Sequence, residues 1–274
     1  MADLHFEILA HEMTPLGVLC LRRRGLLCEP GTIVTEVTLN HEFLMSSLYT
    51  DSEQALARTA LQMHAGANLR VLVGGLGLGY TAREALLSER VAGVEVVEIL
   101  PQVISWLRND LVPLSRELRD ERRLVITPGD VFRRLGGPAD ELFDVILIDV
   151  DHSPEERLGE ESVSFYTAPG LQAARRHLAA DGILAVWSYA ESSPFADALR
   201  VVFEHVRVEP INHFNHLIDE QCTDWLFFAS GSRRWRGTNQ KEQQCTSAEA
   251  TPTQEYSAMR KANIVSATLY VPSN

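Results

Sequence analysis

Apolar residues follow two different patterns along this chain, and the change between them falls near residue 50. Before that point, short β-like stretches alternate with turns, at residues 6–9, 17–21 and 32–39. The last of these stretches is rich in Val, Ile and Thr, which favour strands. The pattern predicts a small antiparallel β unit over residues 1–50.

From residue 51 to residue 231, short apolar runs alternate with segments whose apolar residues recur at helical spacing. Runs such as Val145-Ile-Leu-Ile148 are apolar throughout, as expected where helices cover both faces of a parallel sheet. The order predicts an α/β domain with a doubly wound, mostly parallel Rossmann-like sheet. Its predicted strands are 71–73, 94–98, 124–127, 143–150, 183–188 and 225–229, and its predicted helices are 54–64, 81–88, 101–109, 166–179 and 194–203.

The composition changes again near residue 232, where Ser, Thr, Gln, Glu and Lys replace most large apolar residues. Such a segment buries too little apolar surface to offset the entropy of ordering it. Residues 232–274 are therefore predicted to form a low-complexity, disordered tail.

Charge and composition exclude several classes of function. A formal net charge of −12 over 274 residues argues against nucleic acid or an anionic membrane as partner and is compatible with a cationic substrate. The basic runs 22–24 and 233–236 are interpreted as solvated surface. The sequence has no apolar stretch of membrane-spanning length and no signal-peptide pattern, so we expect a cytoplasmic protein.

Metal and disulfide chemistry are not predicted either. The four cysteines are scattered, without a Cys-x-x-Cys pair, and are interpreted as reduced thiols. His213, His216 and Glu220 can be drawn as a metal cluster, but ordinary histidines are the preferred interpretation.

The clearest chemical signal is a glycine turn between a predicted strand and a predicted helix. Gly75, Gly77 and Gly79 follow the strand and allow backbone amides to approach a nucleotide closely. Alone, this spacing is equally compatible with a tight turn. Glu98 ends the next strand about 20 residues downstream, the distance at which an acidic residue binds ribose hydroxyls.

Carboxylates follow two further strand ends, where ligands bind in open α/β sheets. Asp130 follows the third strand, with a helix N-cap as its alternative role. Asp149 follows four consecutive apolar residues, where an ionised carboxylate needs a partner. Asp151 and His152 come next and are predicted to contact substrate, although Asp-His-Ser-Pro also suits a turn.

The order of these motifs resembles the spermidine synthase (polyamine aminopropyltransferase) family, a branch of the class I S-adenosylmethionine-dependent transferase fold. The similarity covers roughly residues 30 to 210. It is carried by four motifs: Gly74-Gly-Leu-Gly-Leu-Gly79, Glu98-Ile-Leu100, Gly129-Asp-Val-Phe132 and Phe143-Asp-Val-Ile-Leu-Ile-Asp149.

The resemblance implies roles for three carboxylates. Glu98 would hold the ribose hydroxyls, Asp130 the adenine amino group, and Asp149 would face the attacking amine. The last role also has a physical basis, because a diamine is protonated at neutral pH and a nearby carboxylate can orient it and accept its proton.

The chain departs from the family pattern in two places. Gly77 stands where the family usually has an Asp that binds the aminopropyl ammonium. The family's Tyr-His/Gln-Glu stretch is matched best by Tyr49-Thr-Asp51, and Tyr49 is accordingly predicted to contact substrate. Losing the carboxylate at Gly77 leaves the donor open between decarboxylated and intact S-adenosylmethionine.

Three hypotheses follow. The first is an aminopropyltransferase that acts on a polyamine such as putrescine and releases methylthioadenosine. The second is an S-adenosylmethionine-dependent small-molecule methyltransferase, and the third is a non-catalytic binding protein with the same fold. The resemblance also favours a homodimer formed through the N-terminal β unit.

Overall fold

The computed structural model of the protein describes residues 6–158, 164–216 and 219–232, which divide into two compact units. The smaller unit contains residues 6–46 together with 214–216 and 219–221. The larger unit contains 47–158, 164–213 and 222–232. Nearly all of the predicted tail, residues 233–274, lies outside the described residues.

The smaller unit is an antiparallel sheet whose strands follow one another in chain order. They are β1 (Phe6–Thr14), β2 (Gly17–Gly25), β3 (Ile33–Leu39) and β4 (Glu42–Ser46). The prediction that the basic run of β2 is solvated surface is wrong for two of its residues. Arg22 and Arg24 both pair with the buried Glu36, at 2.9 and 2.7 Å. Alternate residues of a strand share one face, so these two guanidinium groups neutralise one carboxylate.

The larger unit alternates strands with helices. Its helices are α1 (Asp51–Met63), α2 (Tyr80–Leu86), α3 (Pro101–Arg108), α4 (Ser115–Arg119), α5 (Val131–Gly136), α6 (Ala168–Arg175) and α7 (Ser193–Val202). Its strands are β5 (Leu69–Gly74), β6 (Val91–Glu98), β7 (Leu124–Pro128), β8 (Phe143–Ile148), β9 (Leu178–Ser188) and most of β10 (His205–Asn215) and β11 (Glu220–Ser230).

These seven strands form one sheet in the order β10-β11-β9-β8-β5-β6-β7. The neighbours from β9 to β7 are parallel, and β11 runs antiparallel to β9. The predicted doubly wound, mostly parallel fold with a small N-terminal antiparallel sheet is therefore confirmed.

The burial of the central strands explains why their sequences are apolar at consecutive positions rather than at every second position. β5 and β8 are adjacent, and nearly all their side chains are buried. Helices therefore cover both faces, which leaves the strand ends as the places where polar side chains can gather. The carboxyl ends of β5, β6, β7 and β8 lie at one edge of the sheet and carry every carboxylate predicted from the motifs.

Several elements differ from the prediction, among them strand β4 and helix α4, which were not predicted. The helix predicted over 166–179 ends at Arg175, because Leu178 pairs with Phe143 at the start of β8 and the chain is already extended there. β10 was not predicted at all. Its residues are mostly polar and only partly buried, so it lacks the apolar signal of a core strand.

Among the described residues, no helix has both the length and the apolar character needed to cross a lipid bilayer.

Candidate functional site

The glycine turn lies directly against the end of strand β8. Gly75, Gly77 and Gly79 all have positive φ, at 89°, 53° and 95°. A Cβ atom at Gly75 would lie 2.3 Å from the carbonyl oxygen of Asp149, so that position accepts only glycine without a backbone shift. The Asp149 amide in turn donates to the Gly74 carbonyl, at 3.0 Å. The backbone of the glycine turn therefore packs directly against the backbone of Asp149, the predicted catalytic residue.

Glu98 joins the same turn from the neighbouring strand. It is buried, and its Oε2 accepts a hydrogen bond from the Leu76 amide at 2.8 Å, while Oε1 accepts from the Leu100 amide at 2.7 Å. Burial raises the pKa of this carboxyl group, and the backbone amides oppose that change. Glu98 therefore holds the shape of the glycine turn.

Asp130 lies beyond β7 and caps helix α5. Its Oδ1 accepts from the amides of Phe132 and Arg133, at 2.8 and 3.2 Å. The Gly129 amide donates to the Glu98 carbonyl, which sets Asp130 beside the end of β6. Asp130 therefore has the N-cap role that was its alternative prediction, and its Oδ2 takes part in neither of the two capping bonds.

Asp149 is the half-buried residue after β8. Its Oδ2 accepts a hydrogen bond from the Thr81 hydroxyl in the first turn of α2, at 2.6 Å. Burial raises the pKa of Asp149 to about 6; the Thr81 hydrogen bond opposes this shift and the negative charge of Asp224 adds to it. A carboxylate with this pKa exchanges a proton close to neutral pH.

Two further carboxylates, Glu53 and Asp224, were not predicted from the sequence. The pKa of Glu53 is raised to about 8, mainly by burial and in part by the charges of Asp149 and Asp224. The Ser52 hydroxyl connects the two newly found groups, lying 2.7 Å from Asp224 Oδ2 and 3.1 Å from Glu53 Oε2, and it accepts from the Trp187 indole at 3.0 Å. The site is therefore a group of three interacting carboxylates.

Local sequence explains why Glu53 and Asp224 were missed. Glu53 lies just outside the predicted helix 54–64, whereas α1 begins at Asp51 with Thr50 at its N-cap and no capping side-chain bond. Asp224 lies 172 residues from Ser52 along the chain. The one available signal was the position of Asp224 next to the apolar half of β11, because a buried carboxylate needs a hydrogen-bond or charge partner.

The three predicted substrate contacts fall in different surroundings. Asp151 is buried, with Oδ1 accepting from the Leu158 amide at 2.7 Å and Oδ2 from the Tyr166 hydroxyl at 3.0 Å. These bonds give Asp151 the role of fixing the loop after β8, in line with the turn alternative. Its predicted contact with substrate stays a prediction.

His152 and Tyr49 remain at partly exposed positions. The His152 ring lies 6.4 Å from the Tyr189 ring. The Tyr49 ring stacks near that of His213 at 5.1 Å, and His213 Nδ1 lies 3.9 Å from Asp224 Oδ2. Tyr49 thus lies on the Asp224 side of the carboxylate group. Its contact with substrate, like that of His152, stays a prediction.

Comparison with known proteins supports the family resemblance. The chain is 33% identical over 123 residues to polyamine aminopropyltransferase 2 of Streptomyces coelicolor, covering 44% of this chain and 22% of that protein. It is 32% identical over 168 residues to the polyamine aminopropyltransferase of Prochlorococcus marinus, covering 60% and 54% respectively. The matched region thus spans about half or less of these relatives. No family model matches the chain.

Solved structures agree on the fold. A spermidine synthase in complex with the transition-state analogue AdoDATO superposes with a TM-score of 0.66 at 19% identity, covering 95% of this chain and 87% of that one. Spermidine synthase from Thermotoga maritima gives a TM-score of 0.64 at 17% identity, with 97% and 85% covered. The resemblance to the spermidine synthase family, predicted from four motifs, is confirmed.

Proposed function

We propose that this protein is an aminopropyltransferase, which moves a three-carbon amine group from decarboxylated S-adenosylmethionine to a polyamine such as putrescine. The observation that carries the proposal is the group formed by Glu53, Asp149 and Asp224 beside the glycine turn. Both substrates are cations, and buried carboxylates attract cations more strongly than exposed ones. The names of the curated relatives support the same reaction.

The donor nucleoside would bind at the glycine turn. Glu98 would bind the ribose hydroxyls, since its two oxygens are held at the glycine turn by the Leu76 and Leu100 amides. Asp130 would use Oδ2 for the adenine amino group, since its Oδ1 already caps α5. These assignments follow the resemblance and are compatible with the geometry.

The donor's charge would be recognised by Glu53. Gly77 offers no carboxylate, and helix α1 brings the carboxyl group of Glu53 close to Asp149 instead. A bound ammonium would lower the raised pKa of Glu53 and so favour its charged form. Intact S-adenosylmethionine carries its own carboxylate, which three acidic groups would repel, whereas the decarboxylated donor carries only cationic charge. This arrangement favours aminopropyl transfer over methyl transfer.

Asp149 would act on the acceptor. With a pKa near 6, its carboxylate can take a proton from the acceptor ammonium and free the nitrogen lone pair. That nitrogen then forms a bond to the methylene carbon attached to the sulfonium. The carbon–sulfur bond breaks, its electron pair stays on sulfur, and neutral methylthioadenosine leaves. General-base assistance of this kind contributes about 10²–10⁴-fold.

The decisive experiment is incubation of the pure protein with decarboxylated S-adenosylmethionine and putrescine, followed by mass analysis. We expect methylthioadenosine and spermidine in equal amounts, and both products to form about 10²–10⁴-fold more slowly with D149N. Adenosylhomocysteine from intact S-adenosylmethionine and the same amines, without methylthioadenosine, would identify a methyltransferase. If both donors bind but neither is consumed with any of a panel of amines, the non-catalytic hypothesis holds.

The expected homodimer is part of this proposal. Phe6 and Ile8 lie two residues apart on β1, and each exposes 56% of its surface, which supports a contact through the N-terminal sheet. Light scattering after size exclusion should give about twice the chain mass, and the double substitution F6S/I8S should give the monomer mass. The predicted cytoplasmic location remains a prediction.

A further inference from the structure

The hydroxyl group of Ser52 is the point where three other polar side chains meet. It accepts a hydrogen bond from the Trp187 indole at 3.0 Å, and it lies 2.7 Å from Asp224 Oδ2 and 3.1 Å from Glu53 Oε2. Ser52 and Asp224 are both buried, at 3% and 4% exposure. One oxygen atom therefore connects helix α1 with strands β9 and β11.

The single proton of this hydroxyl limits what the three contacts can be. A serine hydroxyl donates one hydrogen bond and accepts with two lone pairs, and the Trp187 indole, which only donates, occupies one of these lone pairs. Ser52 can therefore donate to only one of the two carboxyl groups. The other contact is a hydrogen bond only if that carboxyl group carries a proton. When both bonds are made, Glu53 and Asp224 hold one proton between them.

The distances assign this proton to Glu53. A hydroxyl that donates to an ionised carboxylate lies about 2.5–2.7 Å from it, as Ser52 does from Asp224. The longer contact suits Glu53 as the neutral partner. Electrostatics gives the same assignment, because burial, and after it the charges of Asp149 and Asp224, raise the pKa of Glu53 to about 8. In the free protein near pH 7, Glu53 is therefore mostly neutral.

Ser52 can also serve the ionised form of Glu53. Once Glu53 has lost its proton, the Ser52 hydroxyl can turn its own proton to Oε2, and this hydrogen bond lowers the pKa of Glu53. The Trp187 indole donates to the same oxygen in both arrangements. The network thus has two hydrogen-bonded states that differ by one proton.

We propose that Glu53 and Asp224 share one proton through Ser52, and that a bound cation expels this proton to the solvent, so that affinity for the decarboxylated donor rises with pH. The identity of this cation rests on the proposed function. An ammonium beside Glu53 favours the ionised carboxylate and lowers its pKa by about 1–3. The empty site thereby avoids the repulsion of three charged carboxylates, and its third charge forms only when the cation is present.

Other titratable groups face this pair. Asp149 acts on Glu53 from the end of β8, and Tyr80 in α2 has a pKa that is raised by burial and then by the charge of Glu53. His213 of β10 has its Nδ1 3.9 Å from Asp224 Oδ2. The variant E53Q retains all of these groups, and its amide can still donate to the serine hydroxyl. Comparison of the wild type with E53Q therefore isolates the proton of Glu53.

The first test is calorimetric titration of the full protein with decarboxylated S-adenosylmethionine alone, in buffers of different ionisation enthalpy. Near pH 7 we expect release of about 0.4–0.9 proton per bound donor, because a pKa of about 8 falls by about 1–3. From about pH 6 to about pH 8, the Kd should fall about 5–50-fold. E53Q should keep only the share of Asp149, whose pKa is about 6, which is about 0.1 proton and about a twofold change in Kd.

Infrared spectra of the free protein test the shared proton without any ligand. The carbonyl band of a protonated carboxyl group should be present near pH 7, disappear with a midpoint near pH 8, and be missing in E53Q. D224N should weaken this band and reduce proton release, since Glu53 loses a neighbouring charge and Ser52 can donate to it instead. D197N, an exposed position of α7, is the matched control and should behave as the wild type.

Donor binding without proton release, wild-type proton release in D224N, or a carboxyl band of full size in E53Q would each overturn the proposal. None of these measurements depends on turnover. A protein that transfers the aminopropyl group but binds the donor without releasing a proton would refute this inference alone, whereas absence of donor binding would refute the proposed function together with it.

Discussion

The contact between Gly75 and the end of β8 gives the sharpest test of how this fold builds its site. In the variant G75A, the new Cβ would meet the Asp149 carbonyl oxygen at 2.3 Å, roughly 1 Å inside normal contact. The residue would also keep a φ of 89°, which L-residues rarely adopt. Both effects act on the backbone that carries the proposed general base.

The magnitude follows from these two terms. The left-handed conformation costs about 1–2 kcal/mol for alanine, and forcing β8 away adds about 1–3 kcal/mol, as in overpacked cores. The reduced entropy of the unfolded chain returns about 0.4–1 kcal/mol. We therefore expect G75A to lower the free energy of unfolding by about 1–5 kcal/mol and to reduce turnover as well, because Asp149 moves.

Urea denaturation and turnover measurements check this expectation, and Gly136 provides the matched control. Gly136 ends helix α5, and a Cβ atom there would meet nothing within 4 Å. The same substitution, G136A, should therefore leave turnover intact and stabilise the protein by about 0.4–1 kcal/mol. Equal stability and turnover in G75A and the wild type would refute the close approach of the glycine turn to Asp149.

The remaining predictions concern individual polar groups. D149N should reduce kcat by about 10²–10⁴-fold with little change in donor affinity, measured by calorimetry; a wild-type kcat would contradict the general-base role. For Glu53, whose folded pKa is raised from 4.5 to about 8, stability from this group is complete below about pH 4.5 and is lost as the pH rises to about 8. E53Q should therefore gain stability relative to the wild type between these limits, and a pH-independent difference in urea denaturation would contradict this sign. Y166F should lower the free energy of unfolding by about 1–3 kcal/mol, because Asp151 Oδ2 loses its hydroxyl donor; unchanged stability would argue against the loop-fixing role of Asp151.

The sequence was sufficient to predict those features that depend on a few neighbouring residues, namely the buried strands, the glycine turn and the carboxylates at strand ends. Strands β5 and β8 are apolar throughout because both of their faces are covered, and this continuity is visible in the sequence. Gly75, Gly77 and Gly79 were predicted because a positive φ requires glycine at such spacing. Glu98 and Asp149 were predicted because they follow strands whose ends meet at one edge of the sheet.

Local reasoning was insufficient where partners distant in sequence decide a residue's surroundings. The Tyr166 hydroxyl and the Leu158 amide bind the Asp151 carboxylate, and neither partner can be identified from the Asp-His-Ser-Pro turn itself. The contact of Asp151 with substrate stays a prediction. β10 was missed because pairing in the sheet, rather than its own polar composition, makes it a strand.

The sequence by itself determined the sheet, the glycine turn and the carboxylates at neighbouring strand ends, since hydrophobic periodicity and backbone sterics act over a few residues. Only the tertiary structure decided that Glu53 from α1 and Asp224 from β11 join Asp149, and that the Ser52 hydroxyl connects the first two of these groups. These groupings depend on charge interaction and packing between segments far apart in the chain, where burial raises the pKa of a carboxyl group only after the surrounding elements have assembled.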